Sequence, residues 1–153
     1  MDLIHSVRKI LNDIENYHDS FTKSHECRTG KLMSILGKAI GLDSVFCASL
    51  EEAGSIHDIG KLAIPANILE KPGPLSAFER QTVELHPEIG HRIIKNLAHP
   101  LGELASVIAL THHENYDGFG YPQGLKGEAI PLVGRICSVC DIYDALRSDL
   151  PRV

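Results

Sequence analysis

Two histidine-led doublets, His57 with Asp58 and His112 with His113, stand in a chain that carries nine histidines and no tryptophan. Histidine is the commonest metal ligand and the side chain that changes charge nearest neutral pH, so its placement bears most directly on chemistry. With His25, His86 and Asp141, the doublets form a candidate donor set of five histidines and two carboxylates, without a thiolate. That composition favours iron, manganese, nickel or zinc in a catalytic setting over a thiolate-rich structural zinc site. Adjacent side chains on a regular helix diverge by about 100°, so a doublet is poorly placed to grip one small ion and well placed to reach toward two. A carboxylate with two oxygens can bridge such ions while each imidazole supplies one nitrogen. The ordinary alternative, a cap or a satisfied polar residue, fits His5, His18, His91 and His99.

Lys61 follows the first doublet by about one helical turn and can project toward the same cluster to hold an anionic substrate. It can equally be a cation answering a helix dipole. In "THHENYDGFGYP", from Thr111 to Pro122, Gly118 and Gly120 open backbone conformations closed to other residues, and Pro122 stiffens the exit. Such a loop either presents Tyr121 at the edge of a site or folds an aromatic ring onto the surface.

The elements that must position these residues read as helices. Leu3, Val7, Ile10 and Ile14 recur at three-and-four spacing, which predicts an amphipathic first helix over residues 1–18. A second is expected from about Ser24 to Ile40, burying Leu32, Ile35, Leu36, Ala39 and Ile40 and capped by Gly41. A third starts at Ser44 and closes near "HDIGK". The proline-rich stretch from Pro65 to Pro74 reads as an ordered loop, after which Ser76 and Glu79 form a capping box. Pro87 suits the first turn of the next helix, another runs from about Leu101 to His113, and Asp117 to Gly127 is irregular. A last helix follows Pro131 with Ile136, Val139, Cys140 and Tyr143 on one stripe, where Asp141 needs a partner. The helix ends thus carry most of the candidate donors, and the expected fold class is all-α with six or seven helices, a bundle of the kind that builds metal sites from inward-facing groups on several helices.

A length of 153 residues suits one domain, and 43% apolar with 23% charged residues is ordinary for a globular protein. The net charge of -5 argues against an electrostatic grip on nucleic acid or an anionic membrane, so neither is expected as a partner. No apolar run approaches a membrane span and the amino end does not read as a signal peptide, which leaves a cytoplasmic location. Cys137 and Cys140 form a lone C-x-x-C and read as small apolar residues on a helix face.

"HDIGK" at His57 to Lys61, "HPEIG" at His86 to Gly90, "HHENYDGFGYPQGLKGEAIP" at His112 to Pro131 and "RICSVCDIYDAL" at Arg135 to Leu146 occur in the order of a known pattern. Together they resemble the HD-GYP domain, a branch of the HD phosphohydrolase superfamily, and "SHECR" resembles its first histidine with an arginine three residues on. The resemblance implies an all-helical HD bundle and metal-dependent hydrolysis of cyclic di-GMP to linear pGpG, and to GMP in some members. It implies two divalent metal ions, iron or manganese with other transition metals open. His25, His57, Asp58 and Asp141 are expected at one, and Asp58, His86, His112 and His113 at the other. Asp58 and Lys61 would carry catalysis, and Lys61, Gly120, Tyr121, Pro122 and Asp144 would contact substrate. A diguanylate cyclase domain or a homodimer partner fits the same resemblance.

Two departures stand out. Phe21 occupies the position where some members place a glutamate for a third metal, which favours a two-metal site. Leu150 and Val153 replace basic residues, leaving Arg152 nearby, and the family's C-terminal helices are expected to be missing. Hydrolysis of another cyclic dinucleotide or nucleotide, and a metal-loaded, weakly active interaction module, are the alternatives.

Overall fold

The computed structural model describes residues 20–147, with side chains from residue 24, and among them the regular structure is helical, without a strand. The amphipathic segment 1–18 and the "DLPRV" end fall outside these bounds, and Phe21 lies in the described backbone with its side chain outside the described part. The α-helices are α1 (Ser20–Ala39), α2 (Ser44–Gly54), α3 (Ala66–Leu69), α4 (Ala77–Val83), α5 (His86–Ile94), α6 (Pro100–Thr111) and α7 (Leu132–Arg147). Short 3-10 turns cover Ile59–Ala63 and Gly127–Ala129. Where an unbroken loop is expected between Pro65 and Pro74, the chain makes the single turn α3, because Pro65 accepts from the amides of Ile68 and Leu69.

α1 packs on α2 and α7, α6 packs on α2, α5 and α7, and the turn Ile59–Ala63 lies against α5. Between them sits a core that includes Met33, Leu50, Ile59, Ile94, Ile108, Ile136, Cys137 and Cys140. Burial of an Ile or Leu in such a core stabilises by roughly 1.5–3 kcal/mol relative to exposure. A smaller cluster, Ile64, Ile68 and Val83, fastens α3 to α4. Cys137 and Cys140 are buried free thiols on one face of α7, as their spacing predicts.

The buried stripe of α1 differs from the expected one. Ile35 is 63% and Ile40 50% exposed, and Ala39 is exposed, while His25, Glu26, Thr29, Gly30 and Met33 turn inward. The reason is the closeness of α2: a Cβ at Gly30 would overlap the Glu51 carbonyl oxygen, and one at Gly54 would overlap Met33 Sδ. Only small or unbranched groups fit that crossing, so apolarity does not choose the face. α7 shows the same effect, with Val139 60% and Tyr143 47% exposed. Its buried residues are Gly134, Ile136, Cys137, Cys140 and Asp144, so Ile136 and Cys140 of the expected stripe face inward.

Helix ends are set by local chemistry. Gly41 has φ +86° and closes α1 with Gly41 N–H on Lys38 O and Leu42 N–H on Gly37 O, a paired Schellman arrangement. His99 caps α6 by accepting from Leu101 N–H, and His91 Nδ1 donates to Ser106 O, the structural roles expected of both. At α4, Ser76 Oγ accepts from Glu79 N–H while Glu79 Oε2 accepts from Ser76 N–H and from Lys71 Nζ at 2.6 Å. The Lys71 hydrogen bond, followed by those from Ser76, pulls the Glu79 carboxyl down to about 2. A carboxyl lowered on folding stabilises above its unfolded value and ceases to do so as pH falls through its folded one. Glu79→Gln should therefore melt at a lower temperature than the parent at pH 7, with the gap shrinking below the ordinary carboxyl range and closing near pH 2. Thermal unfolding followed by circular dichroism across that range checks it.

Candidate metal centre

Asp58 is the centre of the site because it is buried and every helix end around it supplies a nitrogen. α2 ends at Gly54, and the following turn carries His57 and Asp58 into the interior before the chain enters the turn Ile59–Ala63. His86 opens α5, His112 is the residue that closes α6, and His113 follows it. His25 comes from α1 and Asp141 from the facing side of α7.

Around Asp58 the two oxygens look in different directions. Oδ1 lies 3.2 Å from His86 Nε2 and 3.5 Å from His112 Nε2. Oδ2 lies 3.5 Å from His57 Nε2 and accepts from Lys61 Nζ at 2.6 Å. His57 Nε2 is 3.4 Å from Asp141 Oδ1, which is 2.7 Å from His25 Nε2. The donor atoms fall into two groups, each with its members within 4.8 Å of one another: Asp58, His86, His112 and His113, and His25, His57 and Asp141. All seven expected donors are thus brought together, in two clusters that meet at Asp58.

Three imidazoles are aimed by the same local device. His57 Nδ1–H donates to Gly54 O at 2.8 Å, His86 Nδ1–H to Val83 O at 2.7 Å and His112 Nδ1–H to Ala109 O at 2.9 Å. A carbonyl can only accept, so the proton sits on Nδ1 and each ring turns Nε2 inward. Burial, followed by the charges of His112 and His86, pushes His113 well below its ordinary value; burial also lowers His112 against the pull of Asp58. Rings held neutral keep the lone pair that coordination requires.

The carboxylates complete the fit to a cation. Burial alone pushes the Asp58 carboxyl up, but the charges of Lys61 and His57 outweigh it and hold the group well below the usual range. Asp141 is also held low, burial being overcome by its close contacts with the His25 and His57 rings. His57 moves the other way, to about 9, because Asp58 and Asp141 outweigh the burial that would lower it. Two carboxylates converging on one imidazole nitrogen draw a positive charge to that point, a proton or a metal ion. Among the described residues, His57 Nε2 and Asp58 Oδ1 are buried without a hydrogen bond of ordinary geometry, which a cation between the donors would remedy. Nitrogen and carboxylate donors in this ratio suit a divalent transition metal.

The loop expected at the substrate folds back on the cluster. Tyr121 stacks on His113 with ring centroids 4.7 Å apart and meets His86 edge-on at 6.4 Å. Burial, then the Asp58 charge, raises its hydroxyl well above the ordinary value, so it remains a hydrogen-bond donor. Pro122 follows through a cis peptide bond. Gly118 has φ +89°, the left-handed conformation expected of a hinge. Gly120 does not; it is needed because a Cβ there would overlap Asn115 N. Two residues take positions the sequence does not announce. Asp144, expected at the substrate, is buried with its carboxylate turned to His25 and Arg28. Glu114, not anticipated, is buried beneath the loop, accepting from Gln123 N–H at 2.7 Å and Leu125 N–H at 2.8 Å. Its signal is a carboxylate directly after the histidine pair and before a glycine-rich segment.

The HD domain family's sequence profile matches residues 9–152. The chain is 41% identical over 150 residues to a cyclic di-GMP phosphodiesterase of Thermotoga maritima, covering 98% of this chain and 41% of that protein. It is 40% identical over 135 residues to the cyclic di-GMP phosphodiesterase response regulator RpfG of Xanthomonas campestris, covering 88% and 36%. It is 35% identical over 149 residues to the 3'3'-cGAMP-specific phosphodiesterase 2 of Vibrio cholerae, covering 95% and 28%. The chain therefore spans well under half the length of these curated relatives.

Hydrogen bonds to a charged acceptor are worth roughly 1.5–3 kcal/mol each, and Glu114 supplies two. Glu114→Ala should lower unfolding free energy by about 3 kcal/mol. It should also strip hydrogen-exchange protection from the Gln123 and Leu125 amides while leaving α2 protected, as exchange mass spectrometry would read.

Proposed function

Because this chain belongs to the HD domain family, we propose that its donor cluster is a binuclear metal centre that hydrolyses a cyclic dinucleotide, with cyclic di-GMP as the substrate. The observation that carries the reading is the division around Asp58, one oxygen toward His86 and His112 and the other toward His57. Asp58, His86, His112 and His113 would hold one divalent cation, and His25, His57, Asp58 and Asp141 the other. Iron or manganese suits these donors, and other transition metals are compatible with them. When bound, the cations would supply Lewis-acid stabilisation of phosphate charge and a water acidified enough to attack near neutral pH.

The chain's own groups do the remaining work. Lys61 is 29% exposed along its side chain, so its ammonium can reach a phosphate oxygen from its seat on Asp58. Tyr121 would offer its hydroxyl as a donor while its ring keeps His113 in place. Gly120 and Pro122 shape the wall beside it, and the tight Gly120 backbone brings that wall up to the cluster. The product would be linear pGpG, with GMP where a second hydrolysis follows. Among the described residues no helix is long and apolar enough to cross a membrane, and a cytoplasmic location belongs to the same proposal. A second reading, with 3'3'-cGAMP or another cyclic dinucleotide as substrate, draws on the similarity to the Vibrio cholerae 3'3'-cGAMP-specific phosphodiesterase.

Asp58→Ala should reduce metal content after anaerobic purification and lower cyclic di-GMP turnover by about 10²-fold or more, with iron and manganese supplied separately. Parental turnover by that variant would sink the proposal. Parallel assays of cyclic di-GMP and 3'3'-cGAMP separate the two readings by the ratio of kcat/KM. Chelation of the parent should abolish both activities, and readdition of manganese or iron should restore them.

A further inference from the structure

We infer that Asp144, clamped by Arg28, is the positioning residue that aims His25, and that this pair sets the affinity of one of the two halves of the donor cluster. The inference rests on reading that cluster as a metal centre. His57, His86 and His112 take their orientation from a carbonyl three residues earlier, in a turn or at a helix end where that oxygen is available. His25 lies inside the long α1, where carbonyls of the preceding turn serve the helix itself. Its ring is fixed from across the helix interface instead: Nδ1 lies 2.7 Å from Asp144 Oδ2, within the buried part of the α1–α7 contact. With Nδ1 held against Asp144, the opposite nitrogen, Nε2, is aimed at Asp141 Oδ1, 2.7 Å away, and to the side of His57.

Asp144 is itself held. Arg28 Nε donates to its Oδ1 at 2.7 Å and Arg28 Nη2 to its Oδ2 at 2.9 Å, the two-pronged geometry that fixes a carboxylate in both position and plane. The arrangement is a square across two helices: His25 and Arg28 are one turn apart on α1, and Asp141 and Asp144 one turn apart on α7. Asp141 lies in the donor group and Asp144 lies behind it, outside both groups. Asp144 therefore acts through His25, and its loss should be felt by the group containing His25, His57 and Asp141 while the group containing His86, His112 and His113 is spared. Residues that orient a ligating histidine in this way typically govern metal affinity by about 10–100-fold.

Calorimetric titration of the full chain with manganese under anaerobic conditions tests this, without reference to turnover. The parent should take up two equivalents. Asp144→Asn should weaken one of them by about 10–100-fold and leave the other at parental affinity. Arg28→Gln should weaken the same equivalent by less, and the double variant should be no worse than Asp144→Asn alone, because both substitutions act through one ring. Retention of both equivalents at parental affinity in Asp144→Asn, or equal weakening of both, overturns the inference. If Asp144→Asn does not fold, Arg28→Gln decides: a selective loss supports the inference and an unchanged or uniform profile overturns it. A parent that takes up fewer than two equivalents fails at the earlier step, the binuclear reading itself.

Discussion

A carboxylate carried into the interior of a helical protein must be met by positive or hydrogen-bonding groups, or it will not stay there as an anion. Asp58 imposes that requirement here. It is buried between the turn after α2, the start of α5 and the end of α6, and each of those backbone ends delivers an imidazole toward one of its two oxygens. The helices are arranged so that their ends, where the chain leaves regular geometry, converge on one point. A regular helix interior could not do this for adjacent residues, whose side chains diverge. The doublets work because both fall where the helix has already ended.

Aiming follows from the same circumstance. A histidine at a helix end has a backbone carbonyl within reach of its Nδ1, so the fold fixes which nitrogen faces inward without recruiting another side chain. His25 lacks that resource and borrows a carboxylate from the opposite helix. The site thus combines two ways of orienting a ring, one written in the main chain and one in a pair of charged side chains.

Much of this was legible in the sequence because it depends on residue type at a helix boundary. The Ser76–Glu79 box, the Gly41 stop and the positions of the two doublets all follow from local rules that need no tertiary context. What escaped depends on how near two helices come. Ile35 faces out and Gly30 faces in because α2 leaves no room for a larger side chain, and a hydrophobic pattern carries no information on that distance. Glu114 escaped for a related reason: a buried carboxylate reads as a surface charge until its partners across the loop are brought beside it, and the contacts of Asp144 with His25 and Arg28, more than a hundred residues away, are likewise invisible before the fold forms.

Gly60 has no side chain to contribute to this site, yet a Cβ there would overlap the His86 carbonyl oxygen and stand 2.7 Å from Gly90 N. The turn that carries Asp58 therefore rests directly on the first turn of α5, main chain against main chain. A gap set by side chains can be taken up by rotamers, but contact between two backbones has no such slack. The interval from Asp58 to His86 is in this sense machined into the fold, and its tolerance is held by the one residue of "HDIGK" with no side chain at all.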